Sequence, residues 1–348
     1  MYAALPPLLK GGEPRERWRD SAHRKEVYTV SHTHFARIIA WACALLLLAA
    51  ALPALGAGPE TITIGGRTVR VDVTELSLSW GGISDISELA KLTNLADLSL
   101  DHNQITDITP LAGLINLTHL NLWGNQITDI TPLAGLTNLY LLGLEGNQIA
   151  DITPLTGLTN LASLGLSDNQ ITDVTPLAGM IKMEEIYLHH NQIVDITPLA
   201  GLVNLAALTL GNNQIADIAP LAELTDLLVL HLEYNQIRDI APLAGLANLF
   251  AIQLTQNQIT DITPLEGLTE LIWIYLDENQ ITDITPLAGL TGLTQLYLGG
   301  NQITDITPLA GMTELETLTL YNNPITDFSP LEELVNLIHV LIEDEAFG

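Results

Sequence analysis

Cysteine is almost absent. Cys43 is the single one in 348 residues, and it lies inside an N-terminal apolar run, so a disulfide framework or a cysteine-ligated zinc site is excluded for the rest of the chain. Aromatic residues make up only 5% against 47% hydrophobic, so any core must be aliphatic. Positive charge is scarcer still. Seven of the twelve Lys and Arg residues fall in the first 37 positions with four of the forty acids, and from Pro59 onward 36 acids face five bases, a formal charge of −31. Such a surface repels phosphate, which argues against nucleic acid and anionic membranes as partners, and it also keeps a protein dispersed. No Gly-x-Ser-x-Gly elbow, no phosphate-cradling glycine loop closed by lysine and no His-Glu-x-x-His pair occurs. The chain therefore reads as noncatalytic and without a cofactor.

What is present begins with an uncharged run from Ile38 to Gly58, preceded by Arg37 and containing Pro53. It reads as a secretory signal peptide cleaved after Gly56 or Gly58, with an uncleaved anchor as the rival, since about 20 apolar residues can span a bilayer. The basic stretch before it, with Arg15, Arg17, Arg19, Arg24 and Lys25, is long for a leader, and a translation start near Val27 or Val30 would give one of ordinary length. Cys43 sits mid-run and makes a poor lipidation site.

The rest of the chain is one repeat. Asn103, Asn125, Asn147, Asn169, Asn191, Asn213, Asn235, Asn257, Asn279, Asn301 and Asn323 are spaced by 22 without insertion. A degenerate copy with Gly81 in the Asn position precedes them, and a truncated one begins at Leu337. In the copy from Leu92 to Gly113 the inward set is Leu92, Leu95, Leu98, Leu100, Ile105, Ile108 and Leu111. One copy cannot close a core with these side chains, whereas stacked copies can.

Ala96 to Asp101 alternates, with Leu98 and Leu100 inward and Asp97, Ser99 and Asp101 outward, the period of a short strand. Stacking places such strands side by side in a parallel sheet, about 4.8 Å apart, so twelve span on the order of 55 Å. Thr109-Pro110 reads as an N-cap followed by proline at the first position of a short helical turn on the opposite side. Gly113 and its equivalents sit where that turn ends and reverses.

This pattern, from Leu76 onward, resembles the leucine-rich-repeat superfamily. The phrase Asn-Gln-Ile-Thr-Asp-Ile-Thr-Pro-Leu is similar to the 22-residue repeats of bacterial internalin-type surface proteins. The resemblance implies an α/β repeat solenoid: a right-handed leucine-rich-repeat arc with a parallel concave β-sheet and short helical or 3-10 turns on the convex side. It also implies a bacterial protein, secreted or at the cell surface. Three parts follow: residues 1–58 as N-terminal extension with leader or anchor, 59–74 as a hairpin cap around Gly65-Gly66, and 75–348 as about twelve copies plus a truncated last one.

The Asn column lies just past the strand between apolar residues, which reads as a buried ladder satisfying backbone groups of its own and neighbouring turns. The Asp column, from Asp85 through Asp327, could suggest calcium. Each loop, however, offers one invariant acid where calcium wants six to eight oxygens, so a carboxylate capping backbone N–H groups before the helical turn is the better reading. No metal is expected.

Invariant columns build the scaffold, so a site belongs where the copies diverge. Of twelve aromatic residues from Leu76 onward, eight fall in the columns of Asp97, Ser99, Asp101 and His102, where chance would put about two. They are Trp80, Trp123, Tyr187, Tyr234, Trp273, Tyr275, Tyr297 and Tyr321; His102, His119, His189, His190 and His231 join them, and no Lys or Arg does. Amphipathic rings beside hydrogen-bonding groups suit a recognition surface, although β-propensity alone also favours aromatics on strands. The residues read as ligand-binding are Trp123, Tyr187, His189, His231, Tyr234, Trp273, Tyr275, Tyr297 and Tyr321. They gather in two groups, one around Trp273, Tyr275, Tyr297 and Tyr321, the other around Tyr187, His189, His231, Glu233 and Tyr234. The expected function is recognition of a protein or peptide on the concave sheet, with a glycan possible; the alternative is a structural envelope component without a ligand. At the C-terminal end, Val340, Leu341 and Ile342 read as a last strand followed by Glu343, Asp344 and Glu345, an edge that either stays monomeric or pairs weakly with a second copy.

Overall fold

The computed structural model describes residues 60–342. The leader, its cleavage sites and the acidic residues Glu343 to Glu345 lie outside the described residues. Among those described, no helix is long and apolar enough to cross a membrane.

The first element is an antiparallel hairpin of β1 (Thr61–Ile64) and β2 (Arg67–Arg70). Gly65 and Gly66 both have positive φ, 54° and 78°, the conformation a two-residue turn needs to match strand twist. Gly65 is fixed a second time by packing, because a side chain there would run into Ile83. Ile62 and Ile64 are buried, with Val69 packed beside them, and they close the first coil of the array.

Thirteen strands of three residues follow, one per coil, from β3 (Glu75–Ser77) through β4 (Asp97–Ser99), β5 (His119–Asn121), β6 (Leu141–Gly143), β7 (Ser163–Gly165), β8 (Glu185–Tyr187), β9 (Ala207–Thr209), β10 (Val229–His231), β11 (Ala251–Gln253), β12 (Trp273–Tyr275), β13 (Gln295–Tyr297) and β14 (Thr317–Thr319) to β15 (His339–Leu341). They form a single parallel sheet in chain order. Every register pairs a residue with the one 22 positions later, as in Leu98 with Leu120 and Leu230 with Ile252. On the other side of each coil the chain makes a short 3-10 turn, twelve in all among the described residues, eleven with the sequence Thr/Ser-Pro-Leu or Ala-Pro-Leu at residues such as Thr109–Leu111. Between the two layers lies one continuous core in which Leu95, Leu98, Leu100, Ile105 and Leu111 and their equivalents in the inner coils are fully buried, while those of the terminal coils are partly open. The molecule is a leucine-rich-repeat solenoid: a parallel concave sheet backed by short 3-10 turns.

Two details differ from the sequence reading. The residue before each 3-10 turn is Ile108 or its equivalent, without a side-chain cap, and Thr109 is the first residue inside the turn. The cap is supplied from one residue further back: Asp107 Oδ1 accepts the Thr109 amide at 2.8 Å, and the same bond recurs from Asp85 to Asp327. The Gly113 column, in turn, has no positive φ, and a side chain at Gly113 would meet open space. The left-handed residue of each coil sits elsewhere, in the column of His102. There Trp80, His102, Gly124, Gly146, Asp168, His190, Asn212, Tyr234, Gln256, Glu278, Gly300 and Asn322 all have φ between 51° and 67°. A non-glycine residue in that region costs about 1 kcal/mol. The sharp turn off the sheet imposes this conformation, and it aims the next residue, the ladder Asn, into the core.

Candidate functional site

The Asn ladder holds the rim of the sheet rigid. Asn213 is typical: Nδ2 donates to the carbonyls of Leu188 and Leu210, and Oδ1 accepts the Ile193 amide, all at 2.9–3.0 Å. Asn103 through Asn301 repeat the arrangement at 6–9% exposure, and the partly buried Asn323 ends it with donations to Leu298 and Leu320. Each amide thus ties its coil to the one before.

The divergent columns all lie on the sheet face or its rim, and the structure brings some of the sequence-selected residues together. Tyr275 and Tyr297 stack with ring centroids 4.3 Å apart at 12°, and both hydroxyls reach Gln295 Oε1, at 3.1 and 3.5 Å. Tyr321 lies across Gly299, where any side chain would collide with its ring. Towards the N-terminal end Trp80, 68% exposed, stacks on His102 at 3.7 Å, and His102 meets Trp123 edge-on at 4.4 Å. Asp101 anchors this group, accepting from Ser79 and Ser99 hydroxyls and facing His102 Nδ1 at 3.2 Å.

In the middle of the sheet Tyr187 donates to Glu185 Oε2, which also accepts from Ser163. His189 Nδ1 faces Ser167 Oγ at 2.7 Å, and Asp168 stands near both His189 and His190, at 3.6 and 3.4 Å. Burial pushes the His231 imidazole down to about 4, helped by His189, and it lowers His189 against the pull of Asp168. Both rings are therefore neutral at pH 7. Tyr234 stands on the rim, 39% exposed and left-handed.

Trp273 departs from the sequence reading. It is 4% exposed and packs edge-on against Phe250 at 5.4 Å, in a small second core with Ala206, Ala207, Leu228, Val229 and Ala251. The reason is the neighbouring column, that of Ala96, which in these coils carries Leu228, Phe250 and Ile272 and folds over the start of the strands. Trp273 supports the platform beside it rather than offering its own face.

Sequence reasoning found Glu233 in the outward columns but missed Glu145 in the same column, and it did not foresee how deeply these carboxylates are buried. Burial raises Glu145 and Glu233 to about 7, and Asp277 to about 6 despite its bonds from the Thr319 hydroxyl and the Gly299 amide. Glu145 lies over Gly143 and Gly165, and Glu233 over Gly211, where an added methyl would overlap the carboxylate. Glycine inside a strand often marks the close approach of another group, and Gly143 and Gly165 were the signal for this one. Among the described residues no group of three His, Cys, Asp or Glu comes together to hold a metal.

The sequence profile of leucine-rich repeats (2 copies) matches residues 72–113, 115–157, 138–179, 159–201, 181–223, 203–245, 269–311 and 291–333. Among solved structures, an internalin (InlF) from Listeria monocytogenes is 37% identical, with a TM-score of 0.71 over 79% of this chain and 89% of that one. The functional domain of InlJ from the same organism, which includes a cysteine ladder, is 21% identical with a TM-score of 0.56 over 78% and 74%. A plant peptide hormone receptor, RGFR1, in complex with RGF2, is 22% identical with a TM-score of 0.70 over 79% of this chain and 48% of that one. No curated protein matches the sequence. The chain belongs to the leucine-rich-repeat family, and its repeats are internalin-like.

Proposed function

We propose that this protein is a noncatalytic recognition module, exported or displayed at the cell surface, that binds a protein or peptide on its concave sheet. The observation that carries the reading is the Tyr275–Tyr297 stack, two rings held parallel through one glutamine on a sheet face. A ring pair fixed before the partner arrives loses little side-chain freedom on binding. Tyr321, Trp123, Tyr187, His189, His231 and Tyr234 extend the surface, and Trp273 acts beneath it. The scaffold columns repeat coil after coil while these columns change, so the sheet face is where one repeat protein can differ from another.

The extracytoplasmic placement draws on the likeness to a Listeria internalin; the peptide preference draws on the receptor of the same fold whose structure holds RGF2. The self-association reading rests on β15, where Val340 is 42% exposed although its equivalents from Leu98 to Leu318 are buried. The test of function is a double variant, Tyr275→Ala with Tyr297→Ala, compared with wild type in capture of partners and on a glycan array. A specific protein binder loses its captured partner while remaining folded, with a cooperative melt only modestly lowered. Unchanged capture would favour the structural alternative, and loss confined to the array would favour a glycan.

A further inference from the structure

The outward strand columns of the concave face carry acids and histidines but no lysine or arginine. Of the five Lys and Arg residues after Pro59, Lys182 turns to Asn160, Arg238 to Gln258, Lys91 to Glu88 and Arg70 to Asp72, while Arg67 reaches only the Ser77 carbonyl on β3, at the N-terminal edge of the sheet and far from β8. His189 and His231, both lowered by burial, are neutral at pH 7 and supply no charge.

Three carboxylates converge on one coil, that of β8. Glu185 is the first residue of β8 and only 4% exposed. Glu145, partly open to solvent, leans from the coil of β6 across Gly165, whose strand partner is Tyr187. Tyr187 feels both acids, since its hydroxyl is held well above its usual range by burial and by the charges of Glu185 and Glu145. Glu233 leans from the opposite side, from the coil of β10 across Gly211, whose carbonyl accepts the amide of His190 in the coil of β8. Glu233 is 7% exposed, and its Oε2 is sealed from solvent without a hydrogen-bond partner. A buried carboxylate oxygen left unmatched costs free energy that a cationic donor would recover.

We propose that the sheet face between β6 and β10 docks a basic peptide segment of the partner, with Glu145, Glu185 and Glu233 receiving its arginine or lysine groups. This rests on the concave-face reading and names the chemistry of what binds there. Arginine fits best, because its planar fork bonds carboxylates in pairs and stacks on rings such as Tyr187. The glycines at 165 and 211 leave both flanking side chains free to rotate up from the sheet floor and meet it.

The probe is a labelled tetra-arginine peptide with blocked ends, read by fluorescence anisotropy against its citrulline counterpart, which keeps the shape and lacks the charge. Wild type should prefer the arginine form by about tenfold or more, and the Glu145→Gln, Glu233→Gln double variant should lose about that factor. A control, Glu266→Gln with Glu314→Gln, removes at least as much charge from exposed turns and should stay within about twofold. Equal loss in both double variants would reduce the effect to bulk charge and overturn the inference, as would no loss in either. Spermidine binding as tightly as the peptide would replace the peptide by a free polycation and overturn it too. The glutamine variants remove ionised burial and should melt no lower than wild type, so lost binding is not lost folding. If a captured partner is released by Tyr275→Ala, Tyr297→Ala yet held by Glu145→Gln, Glu233→Gln, the inference falls while the concave-face reading stands.

Discussion

Replacing Glu233 by Gln should make the protein more stable, and the gain should grow with pH. Glu233 is 7% exposed and its carboxyl is raised from 4.5 to about 7 by burial. Between those two values the folded chain keeps a proton that the unfolded chain has released, so stability falls as pH rises through the window. Each pKa unit corresponds to about 1.4 kcal/mol, so 2.5 units correspond to about 3 kcal/mol lost by about pH 8. Glutamine does not titrate. The difference in unfolding free energy between Glu233→Gln and wild type should therefore widen by about 3 kcal/mol from about pH 4.5 to about pH 8. Glu145, also at about 7, acts in the same direction, while His231, lowered to about 4, acts oppositely between 4 and 6.5. Both are present in either protein and cancel in the comparison. Urea unfolding across the pH series measures the difference, and amide exchange at Leu232 localises it, because repeat arrays need not unfold as one unit. Parallel curves, with a difference constant to within about 0.5 kcal/mol, would refute the reasoning that burial raises this carboxyl.

The ladder gives a second prediction: Asn213→Ala strands the Ile193 amide and the carbonyls of Leu188 and Leu210, and should cost about 3 kcal/mol in urea melts. Asp195→Ala removes the acceptor of the Thr197 amide and should lower the melting temperature by the same amount in calcium and in chelator, whereas a calcium-dependent difference would point to a metal. The Thr197 hydroxyl and amide hold the Asp195 carboxyl below its usual range, so its contribution is present at neutral pH and lost as pH falls through the lowered value. Trp273→Ala should destabilise by about 3–5 kcal/mol, since it empties the small core around Phe250, while Tyr275→Ala, which removes a half-buried ring at the edge of that core and its stack on Tyr297, should cost only about 1–2 kcal/mol. Val340→Lys, placing charge on the β15 edge, should abolish any concentration-dependent association seen by light scattering.

The solenoid was legible because its information is periodic. An unbroken spacing of 22 from Asn103 to Asn323 sets strand, core and turn at once, and a period-two alternation as short as Ala96 to Asp101 is enough when it recurs in every coil. What the period hides is how neighbouring coils meet outside the core. Trp273 stands in an outward column, and its burial comes from Phe250, Leu228 and Ile272, three substitutions in a column that elsewhere holds Ala96, Thr118 or Ala162. The left-handed residue was hidden because its signal is diluted: Gly124, Gly146, Gly300, Asp168, Asn212 and Asn322 are types that favour such a turn, but Trp80, Tyr234, Gln256 and Glu278 stand in the same column and do not. Here the tertiary fold overrides local preference.

The same two features join scaffold to surface. Each coil leaves the sheet through one left-handed residue, and that fixed exit sets the direction of the side chain just before it, in the column of Asp101. In three coils that column holds an acid or an aryl group lying over a glycine, Glu145 over Gly165, Glu233 over Gly211 and Tyr321 over Gly299, and in a fourth Asp277 accepts the Gly299 amide. An alanine in place of Gly165 or Gly211 would lift the carboxylate off the sheet and return it to water, lowering the cost of its charge. The glycines therefore maintain an arrangement that folding alone would disfavour, with desolvated carboxylates and no base beside them. Stability argues for neutral residues at these positions, and the acids found there fit the proposed basic segment, whose cationic donors would give each buried carboxylate a partner of opposite charge.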